Sequence, residues 1–202
     1  NKNFENSRFH QISTDEVYGS CKSCSFTEKD KYNPNSPYSA SKASADMLIR
    51  SYNKTYGLNT TISICSNNYG SNQNLEKFIP KIFKSLKDNT PINVYGDGLN
   101  VRDWIHVEDH CEAVDLIYNK SITGETYNVA SKNEVSNLEL INKINCISNI
   151  LDLRGVETNF VQDRHGHDFR YSLNIDKIKS NLGWYPKKDF ETELKNLMQN
   201  LL

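Results

Sequence analysis

The order of apolar and polar positions predicts a strand, a helix and a second strand in the first part of the chain. Arg8–Thr14 passes from apolar into polar residues and is typical of a short strand. Pro37–Tyr56 follows a serine and precedes a glycine, which are typical residues at a helix start and a helix end. Thr60–Cys65 is rich in β-branched residues and is predicted to be the next strand. A strand–helix–strand unit of this spacing favours parallel pairing.

The rest of the chain alternates between shorter elements. Apolar residues at helical spacing, or short β-branched runs, mark each of them. The predicted helices are Glu76–Lys87, Glu108–Tyr118 and Ser136–Leu151, and the predicted strands are Ile92–Tyr95, Val101–Val107, Glu125–Ala130 and Thr158–Val161. Two further short helices are predicted in Ile175–Leu202, separated by Gly183–Pro186. The pattern therefore predicts an α/β fold with a parallel sheet.

Composition excludes several classes of function. The net charge is −1, so no basic field favours nucleic acid or an anionic membrane surface. No apolar run approaches the roughly 20 residues that span a bilayer, and no secretion signal is predicted. Five scattered cysteines suit a reducing compartment, which predicts a cytoplasmic protein. Cys21-x-x-Cys24 lacks a second pair or nearby histidines, so we expect an ordinary loop there and no metal site.

Tyr38 and Lys42 form a candidate acid/base pair. Residues four apart lie on the same face of a helix, and an ammonium close to a phenol favours the phenolate. The phenolate is a usable base near neutral pH. By itself this spacing also occurs by chance as a surface pair.

Asp15 and Glu16 form a second candidate pair at the end of the first predicted strand. Ligands of open α/β sheets bind beyond the carboxyl ends of the strands. Two neighbouring carboxyl groups in different environments can have separated pKa values and divide acid and base roles between them. The alternative interpretation is a solvated turn or a helix cap.

Taken together, these segments resemble the extended short-chain dehydrogenase/reductase family, and within it the dTDP-glucose 4,6-dehydratases. The most specific motifs are S-T-D-E-V-Y-G at 13–19 and S-P-Y-S-A-S-K-A-S-A-D at 36–46. Six further matches follow in chain order: S-N-N-Y-G at 66–70, E-K-F-I-P at 76–80, V-Y-G-D-G at 94–98, V-R-D-W at 101–104, Y-N-V at 127–129 and D-R-H-G-H-D at 163–168.

The resemblance implies a catalytic role for five residues and NAD as cofactor. Tyr38 would take the proton of the sugar 4-hydroxyl, and Lys42 would lower the pKa of Tyr38 and hold the nicotinamide ribose. Thr14 would bond to the 4-oxygen. Glu16 would remove the C5 proton, and Asp15 would protonate the departing 6-hydroxyl. The implied product is a 4-keto-6-deoxy sugar.

The resemblance also implies residues that bind a nucleotide-sugar substrate. Asn68 would hold the diphosphate, and Arg102 and His167 would contact phosphate or nucleoside. Tyr95 and Asn100 would contact base or ribose. For Tyr95 a core aromatic residue, and for His167 a loop histidine bonded to backbone, remain alternatives.

For the fold, the resemblance implies the C-terminal part of a Rossmann-type parallel sheet domain plus a smaller irregular α/β substrate-binding lobe. Residues 1–75 would form the Rossmann part and residues 76–202 mainly the lobe, with segments that return to the first domain. The glycine-rich turn that should hold the NAD pyrophosphate does not occur here. We therefore expect an N-terminally truncated chain that by itself neither binds NAD tightly nor turns over. Ile64, Ser71 and His165 depart from the family pattern and put the substrate fit in question.

Other functions stay open from the sequence. A UDP-sugar 4-epimerase or a UDP-glucuronate decarboxylase would share the Tyr38–Lys42 pair but not the adjacent Asp15 and Glu16. Dehydration of GDP-mannose or CDP-glucose also stays open, and an inactive sugar-nucleotide-binding fragment is the alternative outside enzymes. The resemblance further implies a homodimer, when full length, formed through the helix that carries Tyr38 and the helix after Thr60–Cys65.

Overall fold

The computed structural model describes residues 7–201, with the side chain of Leu201 left aside. Residues 1–6 and 202, which the two predicted parts include at their ends, lie outside the described residues. The fold is α/β, as predicted. Its strands are β1 Phe9–Thr14, β2 Thr60–Cys65, β3 Asn67–Tyr69, β4 Ile92–Tyr95, β5 Val101–His106, β6 Thr126–Val129, β7 Glu134–Ser136 and β8 Thr158–Val161. Its α-helices are α1 Pro37–Tyr56, α2 Phe78–Asp88, α3 Val107–Lys120, α4 Asn137–Ile150, α5 Asp176–Leu182 and α6 Phe190–Leu201.

The first sheet has the order β1-β2-β6, and both pairs are parallel. Helix α1 connects the first two strands and confirms the predicted strand–helix–strand unit. Ser36 begins this helix with a capping box that Ser39 completes. Gly57 ends it in the left-handed conformation at φ 67°, which a glycine adopts at little cost. The local start and end signals thus fix both ends of the helix.

A second sheet, of mixed direction, has the order β3-β5-β7, and a parallel pair joins β4 to β8. Strand β5 is parallel to β3 and antiparallel to β7. The sequence did not predict β3 and β7, because each has only three residues and little apolar pattern. Both strands form by pairing with β5, and the local sequence of neither strand indicates this pairing.

Two hydrophobic cores divide the described residues. One lies around β2, β6, α3 and α5, and its largest buried side chains include Tyr18, Tyr127 and Trp184. The other lies between α2, α4 and α6 and buries Leu140 and Trp104. Segments after residue 75 therefore contribute to the core of the first sheet. The division at residue 75 stays a prediction.

The loop of Cys21 and Cys24 differs from the expectation of a simple loop, because the structure joins the two sulfur atoms in a disulfide. The two Cα atoms lie 5.8 Å apart, within the range that a disulfide spans. The Arg170 guanidinium donates to the backbone carbonyls of both cysteines and holds the loop against the segment after Asp168. Sequence spacing alone does not show this anchor.

Within residues 7–201, none of the helices has the length and apolar character needed to cross a membrane.

Candidate functional site

The predicted acid/base residues lie at the carboxyl end of β1. A short 3-10 helix, Asp15–Tyr18, begins there, and the Thr14 hydroxyl accepts from the Glu16 backbone N–H at 3.4 Å. Gly19 ends the helix at φ 80°, and a Cβ at this position would collide with the Asn33 carbonyl oxygen. The turn therefore requires its glycine, and it places Asp15 and Glu16 at one edge of the parallel sheet.

Asp15 is a buried carboxyl group that favours its protonated form. Its side chain is 3% exposed, and its Oδ2 atom has no hydrogen-bond partner among the described residues. Burial, together with the neighbouring charge of Glu16, raises the pKa of Asp15 to about 8, although the positive charge of Arg102 opposes the shift. A carboxyl group with this pKa carries a proton at neutral pH and can donate it.

Glu16 lies beside a cavity of about 680 Å³, a volume typical of small-molecule sites. Burial raises the pKa of Glu16, and the positive charges of Arg102, Lys77 and Arg164 oppose that shift. The adjacent carboxyl groups therefore have different environments. Asp15 is enclosed by protein, whereas Glu16 faces a cavity lined by the cationic side chains of Lys77, Arg102 and Arg164.

Arg102 is buried and held in place by backbone carbonyls. Its guanidinium donates to the Asp168 carbonyl at 2.9 Å and to the Phe169 carbonyl at 3.3 Å. It also stacks on the Tyr171 ring at 4.3 Å from the ring centroid. A planar guanidinium fixed in this way is well suited to bind a carboxylate or phosphate.

Tyr38 and Lys42 share the face of α1 near β1, but they do not form the predicted pair in this structure. Tyr38 is 55% exposed, and partial burial together with the charge of Glu16 raises the pKa of its phenol. The Lys42 ammonium donates to the Ile12 backbone carbonyl at 2.6 Å. The sequence predicted that Lys42 lowers the pKa of Tyr38, whereas here the lysine is bound to the strand backbone.

Four of the predicted site residues line the cavity: Glu16, Tyr95, Arg102 and His167. The Arg164 guanidinium lies over the Tyr95 ring at 4.3 Å, so this tyrosine has one face in a cation–π contact and is not a core aromatic residue. The His167 Nδ1 atom lies 2.7 Å from the Asp163 carboxylate.

Asn68 and Asn100 do not line the cavity. Asn100 is buried, and its amide donates to the Asp168 carbonyl at 3.2 Å, so it supports the segment that holds Arg102. The Asn68 side chain lies close to Cys65, the last residue of β2, and its Oδ1 atom is 2.8 Å from the His110 Nδ1 atom. The substrate contacts of both asparagines stay predictions.

Lys77 and Arg164 also line the cavity, together with Lys81 and Lys84 of α2. Sequence reasoning gave no role to these cations, although Lys77 and Arg164 lie inside two of the matched motifs. The presence of a cationic residue inside each of these motifs was the available signal. Their convergence on Glu16 depends on tertiary packing.

Comparison with known proteins gives a consistent result. Residues 1–197 match the family model described as GDP-mannose 4,6 dehydratase. The dTDP-glucose 4,6-dehydratase of Neisseria meningitidis serogroup B is 45% identical over an alignment of 202 residues. The match covers 95% of this chain and 57% of that protein. The structure of a Bacillus anthracis dTDP-glucose 4,6-dehydratase in complex with NAD superposes with a TM-score of 0.91 at 43% identity, covering 98% of this chain and 62% of that one.

An epimerase is similar in fold but less similar in sequence. The UDP-glucuronic acid 4-epimerase of Bacillus cereus, in complex with UDP-glucuronic acid and NAD, gives a TM-score of 0.88 at 25% identity. That match covers 97% of this chain and 62% of the epimerase. The chain thus spans less than two thirds of the length of each of these three proteins. Because the family model matches nearly all of the sequence, the chain belongs to the family that the GDP-mannose 4,6 dehydratase model describes.

Proposed function

We propose that these residues belong to an NAD-dependent nucleotide-sugar 4,6-dehydratase that converts dTDP-glucose to dTDP-4-keto-6-deoxyglucose. The observation that carries the proposal is the adjacent pair of Asp15 and Glu16. Asp15 is protonated at neutral pH, and Glu16 faces a cavity with cations. Elimination of water needs an acid and a base at one place, whereas oxidation needs neither of these two carboxyl groups. The names of the dehydratases that are more than 40% identical to the chain support the same reaction.

The carboxyl pair divides the elimination between its two members. A ketone at C4 of the sugar acidifies the C5 proton, which Glu16 removes. Burial makes Glu16 a stronger base than an ordinary carboxylate, while Arg102 helps to keep it ionised. Asp15, which is buried beside Glu16, must turn its protonated carboxyl group toward the sugar to deliver its proton to the 6-hydroxyl, which then leaves as water.

Tyr38, Lys42 and Thr14 serve the oxidation at C4. Tyr38 accepts the proton of the 4-hydroxyl, and Thr14 bonds to the same oxygen. When bound, NAD would supply the acceptor for the C4 hydride and the hydride donor for C6. The residues present fit the nicotinamide end of this cofactor, because Tyr38 and Lys42 both reach the carboxyl end of β1 from α1 and Tyr38 is half exposed there. Lys42 must leave the Ile12 carbonyl to reach the ribose and Tyr38.

The cavity holds the nucleotide diphosphate in this proposal. Arg102, His167 and Arg164 provide donors for phosphate or nucleoside, and Tyr95 offers an aromatic face beside them. Asn68, which does not line the cavity, bonds to the diphosphate where the substrate leaves the cavity toward the acid/base residues, and Asn100 acts through the Asp168 segment. Because the glycine-rich turn is not in the sequence, the 202 residues alone neither bind NAD tightly nor turn over. Turnover by this exact chain would contradict that part of the proposal.

We also propose a cytoplasmic homodimer. Met47, Leu48 and Tyr52 of α1 are each at least half exposed, which is an unusual apolar face for an isolated helix. Of the five cysteines, Cys21 and Cys24 form a disulfide across three residues, and Cys65, Cys111 and Cys146 are free, which is not the disulfide framework of a secreted protein and suits a reducing compartment. Light scattering of the full-length protein, with Leu48→Glu as the disrupting variant, tests the dimer. A monomeric unsubstituted protein would contradict it.

The test of function uses the protein expressed from its complete gene, with NAD and dTDP-glucose. A 4-keto-6-deoxy product is followed by its absorbance in alkali. We expect product from the unsubstituted protein and none from Glu16→Gln, which should still oxidise C4 and reduce NAD in a single turnover. A C4 epimer or a decarboxylated sugar from a UDP substrate, without dehydration of dTDP-glucose, would assign the protein to the sister enzymes instead.

A further inference from the structure

A buried histidine touches one of the predicted substrate residues without lining the cavity itself. His110, in the first turns of α3, is 8% exposed, and its Nδ1 atom lies 2.8 Å from the Asn68 Oδ1 atom. The contact follows from the topology. Strand β3 pairs in parallel with β5, with Asn68 opposite Ile105, and α3 begins directly after β5.

The contacts of the Asn68 carboxamide define the polarity of this hydrogen bond. Its Nδ2 atom donates to the Ser66 carbonyl at 3.2 Å and lies 3.6 Å from the Cys65 sulfur. Its Oδ1 atom is therefore the acceptor, and the His110 Nδ1–H is the donor. Burial lowers the pKa of His110 to about 4, so the ring is neutral and carries one N–H. The other ring nitrogen, Nε2, is buried with no partner among residues 7–201.

Asn68 is close to the acid/base residues. Cys65, which its Nδ2 atom approaches, pairs with Thr14 across β1 and β2, and Thr14 directly precedes Asp15. The Asn68 backbone is fixed as well, because the Gln73 amide donates to its carbonyl at 2.7 Å. With the backbone held, the remaining freedom of Asn68 is rotation of its carboxamide, which exchanges an N–H donor for an oxygen acceptor.

We propose that His110 is a positioning residue: it holds the Asn68 Oδ1 atom, so that the amide N–H near the Cys65 sulfur is the group presented to the diphosphate of the bound nucleotide sugar. The proposal rests on the proposed function in one respect, namely that Asn68 contacts the substrate. Without the His110 donor, the buried Oδ1 atom loses its partner, and the carboxamide gains by turning that oxygen toward the site. An oxygen in that place repels an anion where the amide N–H would bind it.

The test is a double-mutant cycle on the full-length protein, read as the Kd for dTDP-glucose by calorimetry and as KM and kcat. His110→Leu removes the donor and is expected to raise Kd and KM about tenfold or more, the effect of losing one hydrogen bond to a charged group. The kcat should change by less than about twofold, because His110 moves no proton. In an Asn68→Ala background, His110→Leu should change Kd by less than about twofold, because its effect passes through Asn68.

Two further variants separate positioning from a general structural role. His110→Asn places an amide N–H near the position of Nδ1 and is expected to restore Kd to within about threefold of the unsubstituted protein. Ser148→Ala is the control for the loss of a buried hydrogen bond elsewhere, because Ser148 is buried in α4 and its hydroxyl donates to the Arg154 carbonyl rather than to Asn68. It should lower the melting temperature and leave Kd unchanged.

The outcomes are distinct. A full His110→Leu effect in the Asn68→Ala background, or an asparagine variant as weak as the leucine variant, would overturn the positioning role. If the protein binds dTDP-glucose but does not dehydrate it, the proposed function fails while the cycle in Kd still supports or overturns the role of His110. If the full-length protein binds none of dTDP-, UDP- and GDP-glucose, both the proposed function and the positioning role of His110 are overturned.

Discussion

Replacement of Asp15 by asparagine is expected to stabilise the protein while it abolishes dehydration. Asparagine keeps the shape of the side chain but has no charge. The pKa of Asp15 is raised from 3.8 to about 8 by burial and by Glu16, a difference of about 4 units. At about 1.4 kcal/mol per unit, the cost of ionising Asp15 in the folded state has a ceiling of about 6 kcal/mol. Water entry and local relaxation reduce that ceiling, and we expect about 2–3 kcal/mol.

The sign of the effect sets its pH dependence. Between pH 4 and pH 8 the folded state binds a proton at Asp15 that the unfolded state does not, so the free energy of unfolding falls as the pH rises. Above the pKa that Asp15 has in the folded state, the free energy of unfolding has fallen by the full amount and no longer changes with pH through this group. Asp15→Asn should therefore match the unsubstituted protein near pH 4 and exceed it by the largest amount near pH 9.

Urea denaturation of the full-length protein at pH 4, 6.5 and 9, followed by circular dichroism, measures this difference. Asp30→Asn is the matched control, because Asp30 is exposed and hydrogen bonds from Thr27 lower its pKa. Its contribution to stability is lost only as the pH falls through that lowered pKa, so the control should show no pH-dependent gain between pH 6.5 and 9. If the gain from Asp15→Asn is the same at all three values of pH, the raised pKa of Asp15 is refuted.

Two other predictions concern binding and stability. Arg102→Lys should raise the Kd for dTDP-glucose about tenfold, because an ammonium cannot reproduce both the carbonyl contacts and the stack on Tyr171; unchanged Kd in calorimetry would remove Arg102 from the site. Ser136→Ala breaks the capping box with Glu139 at the start of α4 and should cost about 1 kcal/mol of unfolding free energy. Its Kd and kcat should remain those of the unsubstituted protein, and a change in either would place this helix end in the site.

The parts of the fold that the sequence predicted well are those with complete local signals. Helix α1 begins at Pro37 and ends at Tyr56 as predicted, because a serine cap and a left-handed glycine determine its ends. Strands β3 and β7 could not be predicted in this way. Their residues become strands only by pairing with β5, a segment far away along the chain.

The candidate site also has a part that local sequence predicts and a part that only tertiary packing determines. The turn that carries Asp15 and Glu16 could be predicted because it is one continuous motif with its own glycine. The difference between their environments could not, since it depends on Arg102 and on cations from α2 and from the segment around Arg164. Lys42 shows the limit most clearly. Its spacing from Tyr38 is correct for a pair, but its ammonium bonds to the backbone of β1 in the structure.

The path of the chain between the two cores has a consequence for folding during synthesis. Strand β6 completes the first sheet, yet it follows α2, β4, β5 and α3 in the chain. Strand β6 therefore cannot pair with β2 until the segment through Val129 has left the ribosome. Helix α5, which packs against β6, is synthesised later. Parallel pairing between distant segments is slow. We expect the described part of the molecule to fold as one cooperative unit late in translation, with β2 exposed to chaperones or to aggregation until β6 arrives.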